Sequence, residues 1–358
     1  MRILYYETSA YPPVSPLFIE SLEASGHEYD FVDEARFIRL ARASIARRAA
    51  NRLLSHALGY RALNREMLAR ARAFSPDLVL VGKGNYLSPA TLASIKRETG
   101  ATLVNYATDD PFNRNSRAIS MDLVESVPLY DLYASTKKAL MPDLRRRGCA
   151  NVAYVPFAYK PTVHFPERAQ RPQAARFDSD VAFIGGCDAD RAPLFEDLVS
   201  SLPGIRLHLY GGYWERYPRL RMYWRGFAFG ADFRRALGGT KIALNVVRRA
   251  NRDDHVMRTF EIPACGAFML AERTDTHLAL FEEGREAGYF DSAGELIDKI
   301  RYYLSHDAER ARIAAAGYRK VISGGHTYSD RLSQIIAATH SLTASSKETP
   351  SARSDGPG

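Results

Sequence analysis

The chain has 358 residues, more than one ordinary domain needs, and its 46% apolar and 25% charged residues are those of a soluble globular protein rather than a disordered or fibrous one. Its three cysteines, Cys149, Cys187 and Cys265, stand far apart with no CxxC or Cys/His spacing, which argues against a disulfide framework and a metal site and points to a reducing cytoplasm. No segment approaches transmembrane length, and the apolar run Ile3 to Tyr6 before Glu7 is too short for a signal peptide.

The N-terminal half alternates short β-rich runs with helical patterns. Arg2 to Tyr6, Glu28 to Val32, Asp77 to Val81, Thr102 to Tyr106, Asp131 to Ala134 and Val152 to Val155 read as strands. Such alternation predicts a parallel sheet covered on both faces, with ligands at the carboxyl ends of the strands. The richest of those ends is NYATDDPF, where Pro111 stops the strand and leaves Asp109 and Asp110 in the cleft. Either carboxylate suits a general base, and either equally suits a cap for a helix beginning near Asn113. Lys83, Gly84 and Asn85 end the neighbouring strand and line the same edge.

The formal charge of +8 is concentrated: between Arg36 and Arg72 lie ten arginines against one acid, Glu66. Interleaved leucines make this one or two amphipathic helices with a basic outer face. A solvated face with snorkelling arginines and a surface for anionic lipid or a phosphorylated acceptor are equal readings. Nucleic acid ranks last, because no recognised binding motif accompanies the charge.

The proline-rich stretch 161–178 predicts an interdomain linker between an N-terminal domain, 1–160, and a second domain, 179–327. The pattern restarts there with Val181 to Ile184 as a strand, the turn Gly185 and Gly186, and a helix from Arg191 to Ser201. Further strands are predicted at Arg206 to Tyr210, Ile242 to Asn245, Ala267 to Leu270 and Gly288 to Phe290. Helices follow at Ala293 to Ser305, Asp307 to Val321 and Tyr328 to Ser341, then a disordered tail over 342–358. The diglycine lets a backbone approach a phosphate, with Arg191 at the next helix start. Tyr213 and Trp214, after Gly211 and Gly212, read as core more than as nucleobase contacts.

The most informative stretch is HVMRTFEIPACGAFML, His255 to Leu270. It reads as a short helix ending at Gly266 and feeding a buried strand, with Glu261 in its first turns and Arg258 three residues earlier at the mouth. Guanidinium suits bidentate phosphate recognition, and a simple Arg258 to Glu261 ion pair is the bland alternative.

RTFEIPACGAFML resembles the nucleotide-sugar motif of glycosyltransferases with the GT-B fold, especially the group similar to the spore maturation protein CgeB. The resemblance spans roughly residues 179 to 335 and continues through FEEGREAGYFDSAGELIDKIRYYLSHDAERARIAAAGYRKVISGGHTYSDRL, with ATDDPF as a weaker match in the first half. It implies two Rossmann-like α/β domains facing across a cleft, with a C-terminal helix crossing back to the first. It also implies that Glu261 holds the donor's ribose, that Arg258 and Gly266 belong to the donor motif, and that Asp253, eight positions before Glu261, contacts the transferred sugar. The expected activity is metal-independent transfer of a sugar from a nucleoside diphosphate sugar, UDP or GDP type, to a glycan, lipid-linked or protein acceptor. No cofactor is expected. A nucleotide-sugar epimerase or hydrolase, and a noncatalytic glycan- or nucleotide-binding assembly protein, are the alternatives.

Overall fold

The structure is a computed structural model, and it describes residues 1–10, 16–41, 57–113 and 120–347. The chain divides into two compact units. The first takes Met1–Ser9, Phe18–Pro156 and Ser329 onward, and the second takes Ala10–Leu17 and Phe157–Tyr328.

In the first unit the elements are β1 (Arg2–Glu7), α1 (Ile19–Ala24), β2 (Glu28–Asp33), α2 (Glu34–Ala41), α3 (Ala57–Phe74), β3 (Leu78–Gly82), α4 (Pro89–Thr99), β4 (Thr102–Ala107), α5 (Met121–Ser126), β5 (Leu132–Ser135), α6 (Met141–Arg146) and β6 (Val152–Tyr154). The six strands are parallel in the order β2-β1-β3-β4-β5-β6. Every residue of β3 is buried, as a central strand covered on both faces requires. Leu63, Met67 and Ala71 of α3 enter the core while Arg61, Arg65 and Arg72 face outward, so the basic face is real where it is described. Two of its arginines are already paired: Arg70 with Asp30 and Glu66, and Arg72 with Glu98 at 2.6 Å. The arginines at 42, 47, 48 and 52 lie outside the described residues.

The second unit contains α7 (Ala174–Phe177), β7 (Ser179–Ile184), α8 (Ala192–Ser201), β8 (Leu207–Tyr210), α9 (Ala231–Gly239), β9 (Thr240–Asn245), α10 (Arg258–Ala264), β10 (Met269–Glu272), α11 (Asp275–Leu280), β11 (Gly288–Phe290), α12 (Ala293–Ser305) and α13 (Asp307–Ser323). Its five parallel strands run β11-β10-β9-β7-β8. Phe183, Phe195 and Trp214 form an aromatic triangle with centroids 5.0–5.8 Å apart on one face of this sheet. Trp214 is therefore core, as its sequence setting suggests, while its neighbour Tyr213 is exposed.

Three boundaries differ from expectation. The stretch 161–178 is built into the second unit: Glu167 pairs with Arg234 and Arg235, Arg234 donates to Val163 O, and α7 lies within it. Proline richness there marks irregular backbone pinned by half-buried ion pairs, not a free linker. The last strand of the 255–270 motif begins at Met269, because Gly266 has φ +72° and the chain must first turn out of α10. The final helix, α14, runs from Tyr328 to Lys347, past the expected end at Ser341; 348–358 lie outside the described residues.

Candidate functional site

In the second unit the strand order reverses between β7 and β9, and open parallel sheets bind ligands at the carboxyl ends of such a switch point. Gly185 and Gly186 follow β7 there, and Val246 to Arg248 follow β9. Arg191 bridges the two: its guanidinium donates to Gly186 O at 3.1 Å and to Val246 O at 2.7 Å, and it is buried. Through these two hydrogen bonds Arg191 holds the two strand ends in register, a structural role that the sequence did not suggest. Asp188 accepts from the Arg191 N–H at 2.9 Å and so occupies the start of α8.

The two diglycines differ in what they demand. Gly211 has φ +121°, and a Cβ there would stand 2.5 Å from Gly185 O. Gly186 has ordinary backbone, and its nearest neighbour to an added Cβ is 3.6 Å away. Gly211→Ala is therefore expected to destabilise by about 1–3 kcal/mol through backbone strain. Gly186→Ala should leave the melting temperature unchanged, since the new methyl meets the protein only at ordinary van der Waals distance, and should weaken binding at least about tenfold where a nucleotide lies against it. Thermal denaturation beside calorimetric titration checks both.

Arg258 begins α10. Its Nε donates to Ile184 O at 2.9 Å, its guanidinium lies 4.6 Å over the Phe233 ring, and it is ion-paired to Glu261 Oε2. Its side chain remains 23% exposed, whereas Glu261 is wholly buried. The pair is thus stacked, with Arg258 at the surface and Glu261 beneath, rather than side by side at a mouth. Glu261 Oε1 makes no hydrogen bond, and the His164 imidazole Nε2 lies 3.4 Å from the carboxylate. His164 Nδ1 accepts from the Lys160 N–H at 3.0 Å, so the neutral ring carries its proton on Nε2. Burial lowers the pKa of His164 despite the opposing pull of Glu261, which keeps it neutral. The carboxylate therefore has one oxygen neutralised by Arg258 and one still able to accept.

Asp253 lies in the loop after β9, where its Oδ1 accepts from Asn251 Nδ2 at 3.0 Å and its N–H donates to Arg248 O at 3.2 Å. Gly266 stands at the opposite end of α10, next to Pro166, and leads into the amino end of β10. A parallel crossover helix runs antiparallel to its strands, so the residue that ends it is on the wrong edge of the sheet for a ligand at the switch point. Gly266 is a helix terminator here.

A buried polar network that sequence reasoning missed underlies this edge. Asn245 Nδ2 donates to Thr259 Oγ1 at 3.0 Å, Thr259 Oγ1 donates to His277 Nε2 at 2.9 Å, and His277 Nδ1 donates to Glu272 O at 2.7 Å. His255 Nε2 accepts from the Phe157 N–H at 3.2 Å, leaving Nδ1 to donate to Asp254 Oδ1 at 2.8 Å. Burial works against the Asp254 charge, but the His255 and Thr276 hydrogen bonds outweigh it and lower its pKa. The only sequence signal was the adjacency of Asp254 and His255 to the motif.

In the first unit, Asp109 pairs with Lys83 at 2.7 Å, both about a third exposed. Asp110 is buried and accepts from the Phe112 N–H at 2.8 Å, so it shapes its own turn. The expected helix near Asn113 falls in part outside the described residues, and the next described helix, α5, is capped by Ser120 Oγ. Buried Lys137 donates to Thr108 O at 2.7 Å and supports the same strand end.

Residues 191–337 match the family model described as glycosyl transferase-like. Among solved structures the chain is similar to Anabaena HepE in complex with UDP-glucose, at 12% identity over 96% of this chain and 100% of that one, with a TM-score of 0.65. It is likewise similar to sucrose-phosphate synthase from Thermosynechococcus elongatus, at 12% identity, 96% and 100% coverage and TM-score 0.65. For α,α-trehalose 6-phosphate synthase from Burkholderia multivorans the values are 12%, 96%, 99% and 0.64. At such identities these likenesses show the fold. No curated protein matches the chain. The two parallel-sheet α/β units are those of GT-B glycosyltransferase structures. The match over residues 191–337, together with this fold, indicates a glycosyltransferase.

Proposed function

We propose that the second unit holds a nucleoside diphosphate sugar at the carboxyl edge of its sheet and that the first unit presents the acceptor beside Asp109. Arg258 contacts the diphosphate, Glu261 Oε1 accepts from the ribose hydroxyls, and Asp253 faces the transferred sugar. The observation that carries this reading is the Arg258–Glu261 pair, which lies inside the glycosyl transferase-like segment and keeps one carboxylate oxygen without a hydrogen bond. The HepE structures, titled as complexes with UDP-glucose and with UDP and glucose, favour a uridine donor over guanosine.

The finer assignment is to the CgeB-like group, supported by the motif series from Arg258 to the α13 region. Fixed positive charge on Arg258 stabilises the departing diphosphate, so the reaction proceeds without a divalent ion. No helix among the described residues is long and apolar enough to cross a membrane. We place the enzyme in the cytoplasm, with Arg61 and Arg65 of the basic 36–72 face available to anionic lipid or a phosphorylated acceptor.

Titration with UDP, GDP and their sugars, with and without chelator, tests the donor assignment; failure of every nucleotide to bind overturns it. Asp109→Asn is expected to lower kcat by about 10²–10⁴-fold with UDP affinity unchanged, as loss of a general base does. Asp110→Asn should instead cost about 1 kcal/mol of stability, through a weakened turn, and little activity. Steady-state kinetics on both variants separates the two carboxylates.

A further inference from the structure

We infer that the loop between β8 and α9 of the second unit is a docking surface for an anionic lipid bilayer. Residues 213–229 hold four arginines, Arg216, Arg219, Arg221 and Arg225, against a single acid, Glu215, and all five are exposed. The same segment carries four of the eleven exposed large apolar side chains among the described residues: Tyr213, Met222, Phe227 and Phe229, at 52, 71, 57 and 52% exposure. Concentrated exposure of this kind marks an interaction site rather than the scattered apolar surface of ordinary proteins.

The loop is not loose. Trp214 and Leu220 are fully buried, Trp214 Nε1 donates to Gly185 O at 2.9 Å, and Trp224 Nε1 donates to Gly211 O at 2.8 Å. A bridge pairs Leu209 with Trp224, so the loop caps the free edge of the sheet at β8. These anchors hold the outward side chains away from the core. Phe227 and Phe229 stack on each other with centroids 5.8 Å apart, and Arg216 lies 4.3 Å over the Tyr213 ring.

A partner must cover apolar side chains set beside arginines, and it must be negatively charged. A fluid bilayer surrounds each side chain separately, seats aromatic rings at headgroup depth and offers phosphates to the guanidinium groups. A rigid acidic protein would need matching recesses. This surface is distinct from the basic face of 36–72 and does not depend on the donor assignment.

The test is sedimentation of the full chain with vesicles of phosphatidylcholine alone and of equal parts phosphatidylcholine and phosphatidylglycerol, beside UDP titration. The wild type should pellet with the anionic vesicles only and be released by salt. Arg219→Gln with Arg221→Gln should weaken partitioning roughly thirty-fold, about fivefold per charge removed. Met222→Asp should weaken it at least as much. UDP affinity should stay unchanged in both variants. Wild-type protein that ignores both vesicle types overturns the proposal. So does undiminished vesicle binding by both variants, or loss of UDP binding in either, which would assign the loop to the donor site.

Discussion

Arg258→Ala is expected to melt well below the wild type and also below the Arg258→Ala/Glu261→Gln double variant. Removing the guanidinium leaves a carboxylate with no exposure and only a neutral imidazole for company. Breaking a buried pair from one side costs about 3–5 kcal/mol, whereas removing both charges leaves a neutral amide that needs only hydrogen-bond partners. The double variant should therefore recover much of the loss. Activity should not recover: both proteins lose the charged contact to the diphosphate, and kcat/KM should fall by about 10²–10³-fold, the cost of deleting one preorganised group opposite developing charge. Denaturant melts together with steady-state kinetics decide the matter. A double variant with restored activity would make the pair a purely structural device, and equal stability in the two variants would show that Glu261 is less isolated than its burial implies.

Stability of the enzyme should decline as pH falls from about 6.5 to 4, with His277 as one main source. Burial pushes its pKa down to about 4, and the ring must be neutral because Nε2 accepts from Thr259 while Nδ1 donates to Glu272 O. In the unfolded chain it titrates near 6.5. Between those values the unfolded state binds the proton and the folded state does not, so stability rises with pH across the window and is lost as pH falls through it. The contribution is about 3 kcal/mol for a shift of this size. His208, also pushed to about 4 by burial, titrates in the same window. His277→Gln should lower stability at neutral pH and flatten the slope between pH 6.5 and 4, leaving the parts from His208 and from His164, whose pKa burial also lowers. Urea melts at half-unit steps of pH test this; an unchanged slope in the variant would remove His277 from the account.

How far the site was legible depended on what each residue needs. Asp109 and Asp110 were equivalent in sequence, each able to cap or to face a ligand. Only the fold separates them, because Phe112 N–H comes back to one carboxylate and Lys83, from the next strand, reaches the other. Arg191 looked like a phosphate ligand beside a diglycine, and only the fold shows that it donates to two carbonyls, one of them 55 residues away at Val246. Gly266 was read into the donor motif because it is contiguous with Glu261. In space it lies at the far end of α10 from Arg258, since that helix carries the chain from the carboxyl edge of the sheet to the amino edge.

Local chemistry determined the alternation of strand and helix, the parallel sheets and the placement of Asp109, Gly185 and Arg258 at strand or helix ends. Hydrophobic periodicity, proline and glycine act within a few residues, and that range is enough to read them in order. Tertiary structure alone decided that Glu261 sits beneath Arg258 beside His164, that Asn245, Thr259 and His277 share one chain of hydrogen bonds, and that residues 157–178 belong to the second unit. Those outcomes rest on burial and on partners from other strands, and a buried polar group finds its partner only once the sheet order has brought the strands together.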